Sequence, residues 1–165
     1  MSAALPALAM DVAAPHARRG LATMEWVRRH TGFDADTISR WVDAGELLWV
    51  WDVSAVARRR AVVRELRFWP AEVDARGTAV ASELARRPLA KVIEEVLGTG
   101  TRERIGATEL AQLLLVSRPH VMRLVRDRML AGPLINGKQW VARESAEKFL
   151  RARWIATADG KEAKA

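Results

Sequence analysis

The sequence predicts a mainly α-helical fold with short β-hairpins, laid out as two copies of one helix-turn-helix-hairpin-helix pattern joined by a helical linker. Three observations predict it. Apolar residues recur at helical spacing in two separate stretches, 24–44 and 108–129. Each stretch is followed by a β-prone run, a turn signal and a further helical pattern. Between the copies, residues 78–97 again have helical period. The expected organisation is a flexible arm over 1–20, a first module over 21–76, the linker over 77–100, a second module over 101–156 and a flexible tail over 157–165.

The second copy carries the clearer signals. Residues 108–115 form about two turns of helix, with Thr108 in the N-cap region and Glu109 favourable in the first turn. Val116 and Ser117 make a short break. A helix is expected over 118–129, with Pro119 tolerated in its first turn. Leu110, Leu114, Val116, Val121, Leu124 and Val125 share one apolar face. Ala131, Gly132 and Pro133 form a turn, and Leu134 and Ile135 a short strand. Asn136 and Gly137 are the favoured pair for a tight hairpin turn. Gln139, Trp140 and Val141 return as a strand, and residues 143–153 close with a helix whose inner face includes Ala146, Phe149 and Leu150.

In the first copy, a helix over 24–30 meets the turn Thr31, Gly32 and Phe33. Asp34 caps the next helix, 35–44, and Gly45 ends it. Ile38, Trp41 and Val42 match the spacing of Val121, Leu124 and Val125. A strand over 47–53 carries Trp49 and Trp51, the hairpin tip spans 54–61, and a return strand spans 62–69. Pro70 opens a short helix over 71–76. In the linker, Pro88 divides the helical pattern in two. Leu84, Leu89, Val92, Ile93, Val96 and Leu97 are its core candidates, and Gly98, Thr99 and Gly100 make a flexible joint.

The 165 residues carry a formal charge of +7, and half of them are hydrophobic. That balance favours an anionic partner, nucleic acid first. The absence of cysteine excludes disulfides, thiolate zinc sites and a cysteine nucleophile. No apolar run approaches the ~18 residues of a membrane span. The first residues lack a basic n-region, so a cytoplasmic protein is expected. His16, His30 and His120 are dispersed, Glu94 and Glu95 point apart on a helix, and neither a phosphate loop nor a nucleophile elbow occurs. A non-enzymatic protein without cofactor or metal is expected.

The run ATELAQLLLVSRPHVMRLV, followed by GPLINGKQWVARESAEKFL, resembles the excisionase and MerR-type winged helix-turn-helix family. The likeness covers under a third of the chain. Leu115 departs from it, standing where such motifs often have glycine. The resemblance implies a protein that binds double-stranded DNA, as a transcriptional regulator or an excisionase-like architectural factor of a bacterial mobile element. Such proteins act at the nucleoid, often as dimers or cooperative arrays. Readers of the major groove set a helix N-terminus and one exposed face against base edges. Here that face would carry Arg118, His120, Met122, Arg123 and Arg126. Arg118 and Arg123 suit guanine. Ser117, Arg126 and Arg128 suit phosphates. The wing offers Asn136, Lys138 and Gln139 to the backbone or the minor groove, with Trp140 in the core.

The first copy differs in charge. Its corresponding helix carries Asp34, Asp36 and Asp43 against Arg40, and phosphates repel carboxylates. Thr37 and Arg40 remain as base contacts. Arg58, Arg59 and Arg60, with Arg64 and Arg67, remain as phosphate contacts. The alternative is that an exposed Trp49 and Trp51 mark a dimer interface or a protein partner, as in an antitoxin or adaptor.

Overall fold

The computed structural model describes residues 20–55, 64–98 and 102–158. Strand β1 (Ala22–Thr23) leads into helices α1 (Met24–Thr31) and α2 (Ala35–Asp43), strands β2 (Val50–Asp52) and β3 (Leu66–Phe68), and helix α3 (Pro70–Ala75). Helices α4 (Val80–Ala85) and α5 (Leu89–Leu97) follow. The same order then recurs: β4 (Arg104–Gly106), α6 (Ala107–Leu114), α7 (Arg118–Arg126), β5 (Leu134–Ile135), β6 (Lys138–Ala142) and α8 (Arg143–Arg153), closed by the short α9 (Ile155–Ala158). The fold is mixed α/β with two small antiparallel sheets, ordered β1-β3-β2 and β4-β6-β5. Strands β1 and β4 were not expected; at two and three residues they are too short to show alternation.

Local chemistry accounts for the helix boundaries. Thr23, Asp34 and Ser117 cap α1, α2 and α7, each side-chain oxygen accepting from a first-turn backbone N–H. Hydrogen bonds from Thr37 hold the Asp34 carboxyl below its ordinary pKa. Helix α6 starts at Ala107 with Gly106 as its N-cap, so Thr108 lies inside the helix and is not its cap. Helix α7 stops at Arg126, short of the expected 129, because Arg128 takes a left-handed conformation at φ 61°. Gly45, at φ 77°, makes the matching stop after α2. Pro88 is the N-cap of α5, where its missing N–H costs nothing.

The core does not respect the expected module boundaries. One cluster joins Trp49, Trp51 and Trp69 of the first copy to Leu84, Val92 and Val96 of the linker and to Leu110, Leu124, Phe149 and Trp154 of the second copy. A smaller cluster lies under α1 and α2, built from Val27, Ile38, Trp41, Val42, Val50, Phe68 and Ile155. Trp49 and Trp51, expected at the surface, are 1% and 0% exposed. The reason is long-range. Trp154 pairs with Trp51 in an isolated antiparallel bridge, and its indole N–H donates to Leu48 O at 2.8 Å. Chain entry is fixed in the same way, since Leu21 N–H donates to Leu113 O at 2.8 Å.

Glu72, on α3, is a buried carboxylate with a structural task. Its Oε1 accepts from Trp49 N–H at 2.9 Å and its Oε2 from Leu48 N–H at 3.0 Å. These are the backbone donors of the segment entering β2. Burial pushes its pKa up to about 7, against the lowering effect of those two N–H groups. The folded chain therefore holds a proton that the unfolded chain releases between the ordinary glutamate pKa and about 7. Stability from this group is full below that window and falls as pH rises through it. Glu72→Gln sets an amide N–H₂ against a backbone N–H and should cost about 1–3 kcal/mol. The wild-type advantage, measured by urea unfolding, should narrow from acid pH to neutrality. An advantage that widens would mean that the two donors outweigh burial.

Candidate nucleic-acid interface

Helix α7 presents two faces. Val121 and Leu124 are fully buried against α6 and the core. On the opposite side Arg118, Pro119, Arg123 and Arg126 are exposed, and Met122 is half-buried against the core. Arg118 and Arg123 have no acidic partner among the described residues, while Arg126 Nε lies 4.0 Å from Asp127. Arg128 is exposed just past the helix end. Ser117 is exposed, and its hydroxyl is used as the cap, accepting from His120 N–H at 3.2 Å.

His120 does not belong to this exposed face. It sits on the flank of the buried side, and its Nε2 donates to Val53 O at 2.6 Å. Its Nδ1 lies 3.9 Å from the Glu65 carboxylate. The imidazole is thus tied to the first copy and is unavailable to a base edge.

The β5–β6 hairpin lies next in the chain. Asn136 and Gly137 have φ 51° and 73°, the pair of left-handed residues that a two-residue type I′ turn requires. Both are exposed, as is Lys138, whose ammonium lies 4.9 Å from the Trp140 ring centre. Gln139 is a correction: it is 9% exposed, and its amide donates to Gly132 O at 3.1 Å and Trp140 O at 2.7 Å. It satisfies carbonyls inside the hairpin instead of reaching outward. Trp140 is half-buried, and Leu134, at 68% exposure, is the most exposed large apolar side chain among the described residues.

The matching turns and caps align α2 with α7 residue by residue. Ala35, Asp36, Ser39, Arg40 and Asp43 stand where Arg118, Pro119, Met122, Arg123 and Arg126 stand. The stripe that is basic on α7 is therefore acidic on α2. Arg40 is exposed but folds back on its own helix, with Nη2 3.4 Å from the Thr37 hydroxyl and Nε 3.4 Å from Asp36 O. Thr37 is half-buried.

Arg67 also departs from its expected role at phosphates. From β3 its Nε donates to Leu114 O at 3.0 Å, and its Nη2 to Leu115 O at 2.8 Å. Those are carbonyls that the end of α6 leaves free. Burial lowers its pKa, opposed by Glu65. Arg64 remains exposed. Arg58, Arg59 and Arg60 lie outside the described residues. Local periodicity carries no signal for the His120 and Arg67 contacts, because their partners are distant in sequence.

Among the described residues, no group of three or more histidines, aspartates or glutamates could hold a metal ion, and no helix is long and apolar enough to cross a membrane. No protein-family model, curated protein or solved structure matches the chain.

The hairpin rests on one close approach. A Cβ at Gly132 would lie 2.1 Å from Trp140 O and 2.7 Å from Val141 Cα, both backbone atoms that cannot swing away. Gly132→Ala should force the hairpin base apart and cost about 1–3 kcal/mol or more. A Cβ at Gly137 meets nothing, so Gly137→Ala should cost only its left-handed strain, about 1–2 kcal/mol. Thermal unfolding of both variants checks the order; a harmless Gly132→Ala would show that the hairpin base yields.

Proposed function

We propose that the protein binds double-stranded DNA sequence-specifically, as a transcriptional regulator or an excisionase-like architectural factor, with its second copy acting as a winged helix-turn-helix. The observation that carries this reading is the α7 stripe. Arg118, Arg123 and Arg126 project from the side opposite Val121 and Leu124, and the first two lack an acidic partner among the described residues. A guanidinium forms two parallel hydrogen bonds to guanine O6 and N7, and the major groove is wide enough for a helix. The deep, narrow groove of A-form RNA is not. Arg126, Arg128 and the backbone N–H groups beside Ser117 suit phosphates, which set register. Asn136 and Lys138 at the hairpin tip suit the adjoining backbone or minor groove.

The first copy supports a different role. Asp36 and Asp43 occupy the stripe that would face DNA, and a phosphate backbone disfavours them. This favours an assignment in which only one helix per chain reads bases. A dimer or an array of chains would then be needed to cover repeated half-sites. The acidic stripe also favours a second reading, in which the first copy receives a protein partner, as an adaptor or antitoxin does. The proposed setting is the bacterial nucleoid.

The test is selection of bound sites from a random DNA library, followed by titration at several salt concentrations. Arg118→Ala and Arg123→Ala should each weaken the enriched site by about 1–3 kcal/mol and relax preference at one base position. Equal losses on scrambled DNA would reduce both residues to backbone contacts. Lys138→Ala should weaken all sequences alike and lower the salt slope by about one. An unchanged slope would remove the hairpin tip from the contact set.

A further inference from the structure

We propose that the β2–β3 hairpin of the first copy is the mount that aims α7, with Arg67 and His120 as its positioning residues. This rests on the DNA-binding reading and assigns the first copy a task within it. Helices α6 and α7 are joined only by Leu115, Val116 and Ser117, so whatever holds that turn holds the start of α7. Leu115 is left-handed at φ 50°, a conformation that a leucine side chain resists. The equivalent residue of the first copy is Gly32, at φ 79°, where no such resistance exists. The second copy thus has the less suitable residue, and it also has an external clamp. Arg67 grips the carbonyls of Leu114 and Leu115 from β3.

The second tie comes from the same hairpin, two residues along each strand from the Trp51–Arg67 pair. Val53 N–H donates to Glu65 O at 3.0 Å, extending the ladder one step past the Asp52–Leu66 pair. Val53 O in turn accepts from His120, in the first turn of α7. The Glu65 carboxylate lies 3.9 Å from both His120 Nδ1 and Arg67 Nη2. Two neighbouring rungs of one hairpin of the first copy therefore fix both the turn before α7 and its first turn. The corresponding turn of the first copy has no such clamp: among the described residues no side chain of the second copy bonds the carbonyls of Thr31 or Gly32. Thr37, the counterpart of His120, instead accepts from Arg40 on its own helix. The second copy in turn steadies the hairpin itself, Arg153 donating to Ser54 O at 3.0 Å and Trp154 to Leu48 O at 2.8 Å, but only the first copy clamps the turn of its neighbour's helix pair. A lysine at position 67 could not replace the fork, because one ammonium cannot present two fixed N–H groups to adjacent carbonyls.

The experiment uses the full chain as wild type, Arg67→Ala, Arg67→Ala with Leu115→Gly, and His120→Ala. Two readouts are taken: the affinity ratio of library-enriched to scrambled DNA, and hydrogen exchange of backbone amides. Arg67→Ala should leave the affinity for scrambled DNA and the salt slope unchanged, since no phosphate contact is removed. It should lose about tenfold or more of its preference for the enriched site, the worth of one misplaced bidentate contact. Amides at 115–121 should exchange faster, and those of α2 should not. Leu115→Gly should restore part of the preference, because glycine holds the left-handed turn without a clamp. Should Arg67→Ala fail to fold, His120→Ala decides by the same two measures. Undiminished preference with unchanged exchange at 115–121 overturns the mount while the DNA reading stands. A wild type that enriches no sequence, with exchange still accelerated in the variant, overturns the DNA reading and leaves the mechanical tie intact.

Discussion

The fold depends on the stack of indoles around Trp49. Its ring lies 5.0 Å from Trp154 and nearly parallel to it, 6.4 Å from Trp51, and edge-on to Trp69 at 6.4 Å. Such pairs contribute about 0.5–1.5 kcal/mol each beyond their burial. Geometry makes this stack a joint. Trp49, Trp51 and Trp69 belong to the first copy, Trp154 directly follows α8 of the second, and the Trp49 indole N–H donates to Leu84 O in the linker at 2.9 Å. Glu72 sets the backbone of Leu48 and Trp49, and Leu48 O accepts from Trp154. Three regions that sequence alone separates thus meet on one side chain. Trp51 shows the limit of the arrangement. Its buried indole N–H has no partner among the described residues, a burden of about 1–3 kcal/mol that the packing offsets.

Two copies of one topology have diverged where it matters for partners and not where it matters for backbone. Sheet order, cap positions and left-handed stops coincide. What changed is the outer stripe of the second helix and the burden placed on the turns. Where Gly32 and Gly45 take positive φ freely, Leu115 and Arg128 do so under strain. The second copy tolerates that strain at Leu115 with help from Arg67. Basic charge outward and dependence on a neighbour inward occur in the same copy.

Much of the framework was legible in the sequence, because it is governed by nearby residues. The Asn136-Gly137 turn, the Asp34 cap, the division at Pro88 and the closing helix over 143–153 all follow from interactions within a few positions. The misreadings share another cause. Trp49 and Trp51 have strand-like spacing that says nothing of which face is covered, and the cover comes from Trp154 at the far end of the chain. His120, Gln139 and Arg67 are polar side chains of the kind found at DNA surfaces. Each is instead used up by a backbone carbonyl, at Val53, Trp140 and Leu115. Amino-acid type reveals what a side chain can bond, and only the tertiary fold decides which acceptor reaches it first.

The bond between Trp154 and Leu48 has a consequence for how the chain comes into being. Its partners are 106 positions apart, so the ring closed by that contact encloses most of the described residues. The entropy of closing such a ring is spent before any packing rewards it. During synthesis the amino-terminal copy emerges first, with its sheet and caps able to form but with Trp49 lacking its stacking partner. It must wait, with apolar surface uncovered, until residue 154 has left the ribosome. The order of translation therefore runs against the order of stabilisation, and the interval between them is when this chain is most open to a chaperone or to aggregation.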